Sequence, residues 1–138
     1  DENLTVRNAT FTGNDALSGG VGPGAGGAIA SSGQLLVDSS TLTGNTAASR
    51  GGAIYANGSV PAFAVRNSVL TSNASTNFGD GGAVYLRGAA VILIEDCAFS
   101  ANSTNGDGGA AALIGSPATV STVRNTTFTQ NSSGGEGG

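Results

Sequence analysis

Five charged residues recur at one position of this sequence, and acid–base chemistry is the first function to weigh for them. Each directly follows a β-branched residue, and their signs alternate along the chain: Arg7, Asp38, Arg66, Glu95 and Arg124. Cleavage of acidic polysaccharides needs convergent carboxylates, or a carboxylate with Arg or Lys, on one face. The pairs Asp38–Arg66 and Arg66–Glu95 meet this need only loosely, and the chain has no His and no Lys. We therefore interpret the residues as an exposed charge ladder and predict that the protein is not an enzyme.

Acidic side chains also precede three successive Gly-Gly pairs, at Asp80, Asp107 and Glu136. Calcium binds carboxylate and carbonyl oxygens of loops, so these residues are calcium candidates. A solvated acidic edge explains them equally simply, and we favour that interpretation. The sequence indicates no other cofactor.

Two tyrosines, Tyr55 and Tyr85, occupy equivalent repeat positions. Strand alternation predicts that both rings point outward. Exposed, stacked rings suit contact with a sugar or a protein, although stacking alone would also explain the pair.

Asn-x-Ser/Thr sequons are more frequent than the composition predicts, which is typical of a glycosylated surface protein. They begin at Asn3, Asn8, Asn57, Asn73, Asn102, Asn125 and Asn131. Asn3 and Asn57 are the strongest candidates because their surroundings are loop-like. Some of the others follow the repeat motif described next, and those residues could instead turn inward as a ladder of amides.

Five repeats supply the scaffold that places such equivalent residues together. The motif Phe/Leu-x-x-Asn recurs at intervals of 31, 28, 29 and 29 residues, as Phe11–Asn14, Leu42–Asn45, Leu70–Asn73, Phe99–Asn102 and Phe128–Asn131. A Gly-Gly pair follows each copy, at Gly26, Gly51, Gly81, Gly108 and Gly137 with the glycine after each. A β-branched residue stands five positions before each Phe or Leu, namely Val6, Val37, Val65, Ile94 and Val123.

Each repeat contains three candidate strands that are too short for a sandwich, and no segment has a helical period. We predict an all-β parallel β-helix of about five coils of about 29 residues, with three short strands per coil. The Val/Ile row and the Phe/Leu row should form two continuous buried stacks, and Gly and Asn should form the corners. Residues 1–138 then form one module, with the insertion Asp15–Ala25 as a surface loop.

The alternating motifs Gly-Gly-Ala-(Ile/Val) and Phe-x-x-Asn resemble the repeats of chlamydial polymorphic outer-membrane proteins. The resemblance covers nearly the whole chain, although Leu42 and Leu70 replace Phe and Ala111 replaces the bulky residue after Gly-Gly-Ala. It implies a right-handed parallel β-helix that is carried outside the cell, often as an adhesive segment.

The composition limits the classes of partner that we expect for this protein. A net charge of −4 with five scattered Arg argues against nucleic acid and anionic membranes, and the apolar run Ala89–Ile94 is too short to cross a bilayer. Cys97 has no partner for an internal disulfide.

The function predicted from the sequence is an extracellular or cell-surface structural and adhesive module. Because no capping segment is visible before Asn3 or after Gly137, we expect further repeats or neighbouring copies to continue it end to end into a rod or fibre. Glycans or a cell-surface receptor are its expected external partners. The alternative is a carbohydrate-binding or polysaccharide-cleaving β-helix.

Overall fold

The computed structural model describes residues 3–17, 24–58, 61–77 and 79–137. Residues 18–23, the middle of the predicted surface loop, and Gly138 lie outside the described residues. Within those ranges the chain forms nineteen short strands, β1 to β19 in chain order, and no helix. Accordingly, none of these residues belongs to a helix long and apolar enough to cross a bilayer.

Four parallel sheets run along the molecule. The first contains β1 (Leu4–Arg7), β5 (Leu35–Asp38), β9 (Ala62–Arg66), β13 (Val91–Glu95) and β17 (Val120–Arg124). The second contains β2 (Thr10–Thr12), β6 (Thr41–Thr43), β10 (Val69–Thr71), β14 (Ala98–Ser100) and β18 (Thr127–Thr129). The third contains β3 (Asp15–Ala16), β7 (Thr46–Ala47), β11 (Ala74–Ser75), β15 (Ser103–Thr104) and β19 (Ser132–Ser133). The fourth contains β4 (Ile29–Ser31), β8 (Ile54–Asn57), β12 (Val84–Arg87) and β16 (Ala111–Ile114).

The chain visits the four sheets in order and then begins again, so each strand pairs with its equivalent one coil away. The described residues make four complete coils and part of a fifth, which confirms the predicted all-β parallel β-helix. Each complete coil holds four strands, where the sequence indicated three. The additional strand, such as β7, has two residues and is too short to show a hydrophobic pattern. The right-handed sense stays a prediction.

The two apolar rows have the predicted register. Cα partners in the first sheet run Val6, Val37, Val65, Ile94 and Val123. Those in the second sheet run Phe11, Leu42, Leu70, Phe99 and Phe128. The three middle members of each row are fully buried. At the last described coil Val123 and Phe128 are 48% and 47% exposed, so the predicted stacks are buried in the middle coils and open at the end.

The repeated Gly-Gly pair has a steric cause. Gly51 has a φ of 63°, and a Cβ there would overlap the backbone oxygen of Ile54. A Cβ on Gly52 would overlap the backbone oxygen of Gly82 in the next coil. Neighbouring coils therefore approach each other at this corner through bare backbone, which a larger residue would push apart.

Two further corners have left-handed backbone. One follows the charged positions and consists of Asn8, Ser39, Asn67, Asp96 and Asn125. The other follows the second sheet and consists of Gly13, Gly44, Ser72, Ala101 and Gln130. The predicted preference for Gly and Asn thus holds only in part, since Ser, Asp, Ala and Gln also take this conformation.

Candidate functional site

A row of buried side-chain amides runs through the coils. Asn45, Asn73 and Asn102 have no exposed surface. Nδ2 of Asn73 donates to Oδ1 of Asn102 at 3.0 Å and to the backbone oxygen of Leu42 at 2.9 Å. Oδ1 of Asn73 accepts from Nδ2 and the backbone N–H of Asn45, at 2.9 and 3.0 Å. All four hydrogen-bonding positions of this amide are therefore used.

This burial corrects two of the predicted glycosylation sites. Asn73 and Asn102 begin sequons, but the nitrogen that would carry a glycan is buried and donates two hydrogen bonds in each. A glycan there would displace these bonds and the neighbouring coil. Asn131 is half-buried, and its Nδ2 donates to the backbone oxygen of Phe99 at 3.0 Å. The sequon residues that are exposed are Asn3, Asn8, Asn57 and Asn125.

The charged residues stand side by side along the first sheet, as Arg7, Asp38, Arg66, Glu95 and Arg124. Oδ2 of Asp38 lies 3.8 Å from Nε of Arg7 and 3.3 Å from Nη2 of Arg66. Nε of Arg124 donates to Oε2 of Glu95 at 2.7 Å. Among the described residues no ion pair joins Arg66 to Glu95, so the ladder divides into a group of three and a pair.

The surroundings of Asp38 keep it ionised. Nδ2 of Asn67 donates to Oδ1 of Asp38 at 3.0 Å, and this bond does most to lower the pKa of Asp38. Desolvation raises the pKa, while the hydroxyl of Ser39 and the guanidinium of Arg66 lower it further, and the net pKa is below the ordinary value. A general acid needs a raised pKa. The arrangement is thus suited to an ion-pair ladder and unsuited to protonating a leaving group.

The three calcium candidates lie at one corner of successive coils without converging. Oδ1 of Asp80 accepts the backbone N–H of Asp107 at 3.2 Å, and Oδ1 of Asp107 accepts that of Glu136 at 2.8 Å. Asp80 also faces Arg50, with 3.6 Å between Oδ2 and Nε. In the part of the chain that the structure describes, no group of three or more His, Cys, Asp or Glu is placed to hold a metal ion. The geometry therefore does not support calcium at these residues.

Tyr55 and Tyr85 stack on the outside of the fourth sheet, with ring centroids 5.6 Å apart and planes 9° apart. Tyr85 is only 2% exposed. Tyr55 and the guanidinium of Arg50, which lies 5.1 Å from the centroid of the Tyr85 ring, cover it. The expectation of two open rings is therefore wrong for Tyr85, whereas Tyr55 is half-buried.

A hollow of about 300 Å³ lies beside Tyr55. Its other lining residues are Ala30, Ser31, Ser32 and Asn57. Nδ2 of Asn57 donates to the Tyr55 hydroxyl at 2.8 Å. Ring, amide and hydroxyls thus meet in one place, which is a combination suited to binding a small polar molecule with an apolar face.

Cys97 belongs to a second polar row, which sequence reasoning missed. Its thiol donates to the backbone oxygen of Glu95 at 3.0 Å, as the hydroxyl of Ser68 does to Arg66 at 2.7 Å. Ser40 and Thr126 make the same bond in their coils. Burial raises the pKa of the Cys97 thiol. The available signal was a small hydroxyl-bearing residue two positions after most of the charged ones.

Stacked equivalent residues, buried amides and backbone-contacting glycines together define a repeat-built parallel β-helix protein. Residues 39–57 match the model of a known family, the Chlamydia polymorphic membrane protein (Chlamydia_PMP) repeat. This stretch contains Leu42, Asn45 and the run Gly51–Ile54, so the resemblance inferred from the two motifs is confirmed there. The family is not an enzyme family. No curated protein and no solved structure matches the chain.

Proposed function

We propose that this chain is a non-enzymatic structural and adhesive module of an extracellular or cell-surface rod. Further coils continue it end to end. The regular register carries this proposal: each coil pairs with the next through equivalent residues, and Ile94 and Phe99, which have a coil on either side, are fully buried. A further coil can pair and bury apolar residues in the same way.

The amide row gives such a junction its register. Between coils, Nδ2 and the backbone N–H of one Asn both donate to Oδ1 of the next, as between Asn102 and Asn131. Asn131 carries the same two donors toward the open end, and Asn14 carries the matching oxygen at the opposite end of the row. Directional main-chain and amide bonds of this kind support growth along one axis.

Charge favours a different repeat over an identical copy as the neighbour. Arg7 and Arg124 are the outermost described members of the charge ladder. Direct stacking of two copies would place these two cations side by side, which is unfavourable on neighbouring strands. A neighbouring coil with Asp or Glu at this position continues the alternation.

The absence of a catalytic role is supported by the state of the acidic side chains. Asp38 and Glu95 are engaged by arginines, and Asp80 and Asp107 accept backbone N–H groups. Location outside the cell is supported by the match to a repeat of a membrane-protein family. Glycosylation at Asn3 or Asn57 is supported by the exposure of both.

Electron microscopy of the natural material tests the rod. We expect particles longer than the roughly 24 Å that five coils span, with this module inside a continuous rod. A compact monomer would contradict the proposal. Arg124→Gln adds a second test, because it removes the repulsion between Arg124 and Arg7 at a junction of two copies. Light scattering at low salt should then detect more end-to-end association than in the wild-type chain, added salt should reduce the difference, and Arg124→Lys is the control.

Intact mass and peptide mapping of the same material test the glycans. We expect a sugar on Asn3 or Asn57 and none on Asn73 or Asn102. A bare polypeptide mass, or occupancy at either buried Asn, would contradict this part of the proposal.

A further inference from the structure

The outward row of the fourth sheet has a vacancy beside Tyr55. The row reads Ala30, Tyr55, Tyr85 and Ala112 in Cα register. Because the two rings are stacked nearly parallel, Tyr85 covers one face of Tyr55. The other face turns toward the coil of Ala30, whose methyl group is far smaller than a ring. The hollow of about 300 Å³ occupies this space.

We propose that this vacancy is a carbohydrate subsite in which one pyranose ring stacks on the open face of Tyr55. A pyranose has an apolar C–H face and a rim of hydroxyls, so its site needs an aromatic platform with donors and acceptors around it. The hollow provides both. This inference goes beyond the scaffold function and does not rest on it.

The polar rim is in place around the ring. The bond from Nδ2 of Asn57 to the Tyr55 hydroxyl orients the aromatic platform. Ser32 is exposed, and the hydroxyl of Ser31 makes only a long bond, 3.4 Å, to the backbone oxygen of Gly33. These hydroxyls and the amide offer donors and acceptors to sugar hydroxyls. None of the described lining residues is charged, which favours a neutral sugar over a uronic acid.

A second hollow extends the site. It has a volume of about 230 Å³, shares Ala30, Ser31 and Ser32 with the first, and adds Asn3 and Leu4. A chain of sugar rings can therefore continue from the Tyr55 platform toward the first coil. The ligand class that fits is a neutral oligosaccharide.

The sugar has two sources that share this chemistry. It is either a free saccharide or a glycan attached to Asn57, which begins a sequon and lies two residues from Tyr55 on the same strand face. A host without N-glycosylation isolates the first source, and a glycosylating host supplies the second.

NMR spectroscopy of the protein with isotope-labelled tyrosine rings detects saccharide binding at Tyr55 directly. The chain has two Tyr and no Trp, so an NMR spectrum of the unglycosylated protein contains two sets of tyrosine ring signals. We expect cellotetraose or triacetylchitotriose to shift the Tyr55 signals saturably, with a Kd on the order of 1 mM. The signals of Tyr85, which is 2% exposed, should move much less.

Substitutions within the row provide matched controls. Ala30→Tyr fills the vacancy with a ring and should weaken saccharide binding about tenfold or more without lowering Tm. Tyr55→Leu removes the platform and should weaken binding similarly. Ala112→Tyr adds a ring at the opposite end of the row and should leave binding unchanged. Wild-type affinity in folded Ala30→Tyr would overturn the proposal.

The glycosylated protein completes the test. Shifted Tyr55 signals without added sugar, which Asn57→Gln returns to the bare-chain position, assign the subsite to the protein's own glycan. Saccharide binding by the bare chain assigns it to a free ligand. If Tyr55 responds in neither case, or responds to phenol and not to the saccharides, the subsite does not exist. None of these outcomes depends on whether the module forms rods.

Discussion

The thiol of Cys97 takes the place that the hydroxyl of Ser68 holds one coil earlier. Each donates to the backbone oxygen two residues before it, at 3.0 and 2.7 Å. We expect Cys97→Ser to change the free energy of unfolding by less than about 1 kcal/mol, because a hydroxyl already serves at the equivalent positions. Cys97→Val removes the polar atom and adds a methyl group, and should cost about 1–3 kcal/mol. Urea denaturation measures both, and a better-tolerated Val would show that packing alone matters.

The buried amide row should tolerate no carboxylate. Asn73→Asp removes both donors to Asn102 and Leu42 and places a charge in a dry interior. We expect a loss of about 3 kcal/mol or more at neutral pH, partly recovered when acid protonates the new side chain. Asn14→Asp, at the exposed end of the row, is the matched control and should cost much less. Equal losses in urea denaturation would contradict the row's importance.

The left-handed corner after the second sheet allows two opposite substitutions, Ala to Gly and Gly to Ala, to be compared. Ala101 has a φ of 54° and is exposed, while Gly44 has a φ of 63° with open space around its Cβ position. The strain of an L-residue there exceeds the entropy that Gly adds to the unfolded chain. Ala101→Gly should therefore stabilise by about 0.5–1 kcal/mol, and Gly44→Ala should destabilise by about as much. Thermal unfolding checks both signs, and a single shared sign would refute the explanation.

The lowered pKa of Asp38 makes stability depend on acid pH. Its folded pKa lies below the ordinary 3.8, so the folded chain binds this proton less readily than the unfolded chain. The contribution is present above pH 3.8 and is lost as the pH falls through the folded pKa. Asn67→Gly keeps the left-handed corner and removes the largest cause, so the pKa of Asp38 should rise. Carboxyl NMR titration measures it, and Asn125→Gly, at the same corner three coils from Asp38, should leave it unchanged.

The register could be predicted because every row repeats one residue type. Val65 and Leu70 recur in kind at intervals of 28 to 31 residues, and a slip of one residue would expose a whole row. The Gly-Gly pairs likewise predicted corners, although the close approach of the next coil at Gly52 appears only in the structure. The fold could therefore be predicted from the repetition of residue types.

The surface could not be predicted as well. Tyr85 is covered by the long side chain of Arg50. The repeat does not determine the direction in which this side chain points, so the contact could not be predicted. From the sequence, Asn73 could either carry a glycan or turn inward as a buried amide. Which of the two occurs depends on the direction of the side chain at this corner. The vacancy beside Tyr55 exists because Ala30 stands where the next two coils have an aromatic residue. A residue that breaks the repeat leaves no periodic pattern from which it could be predicted.

Every strand pairs only with strands of the neighbouring coils, and this has a mechanical consequence. Each strand is bound only to the equivalent strand above and below it, so tension applied to the two chain ends can unwind one turn while the rest stays wound. A turn adds roughly 4.8 Å of height when wound and releases roughly 100 Å of extended chain when it opens. Single-molecule pulling should record steps of that length. Under tension each opened turn would therefore lengthen about twentyfold before any covalent bond is strained.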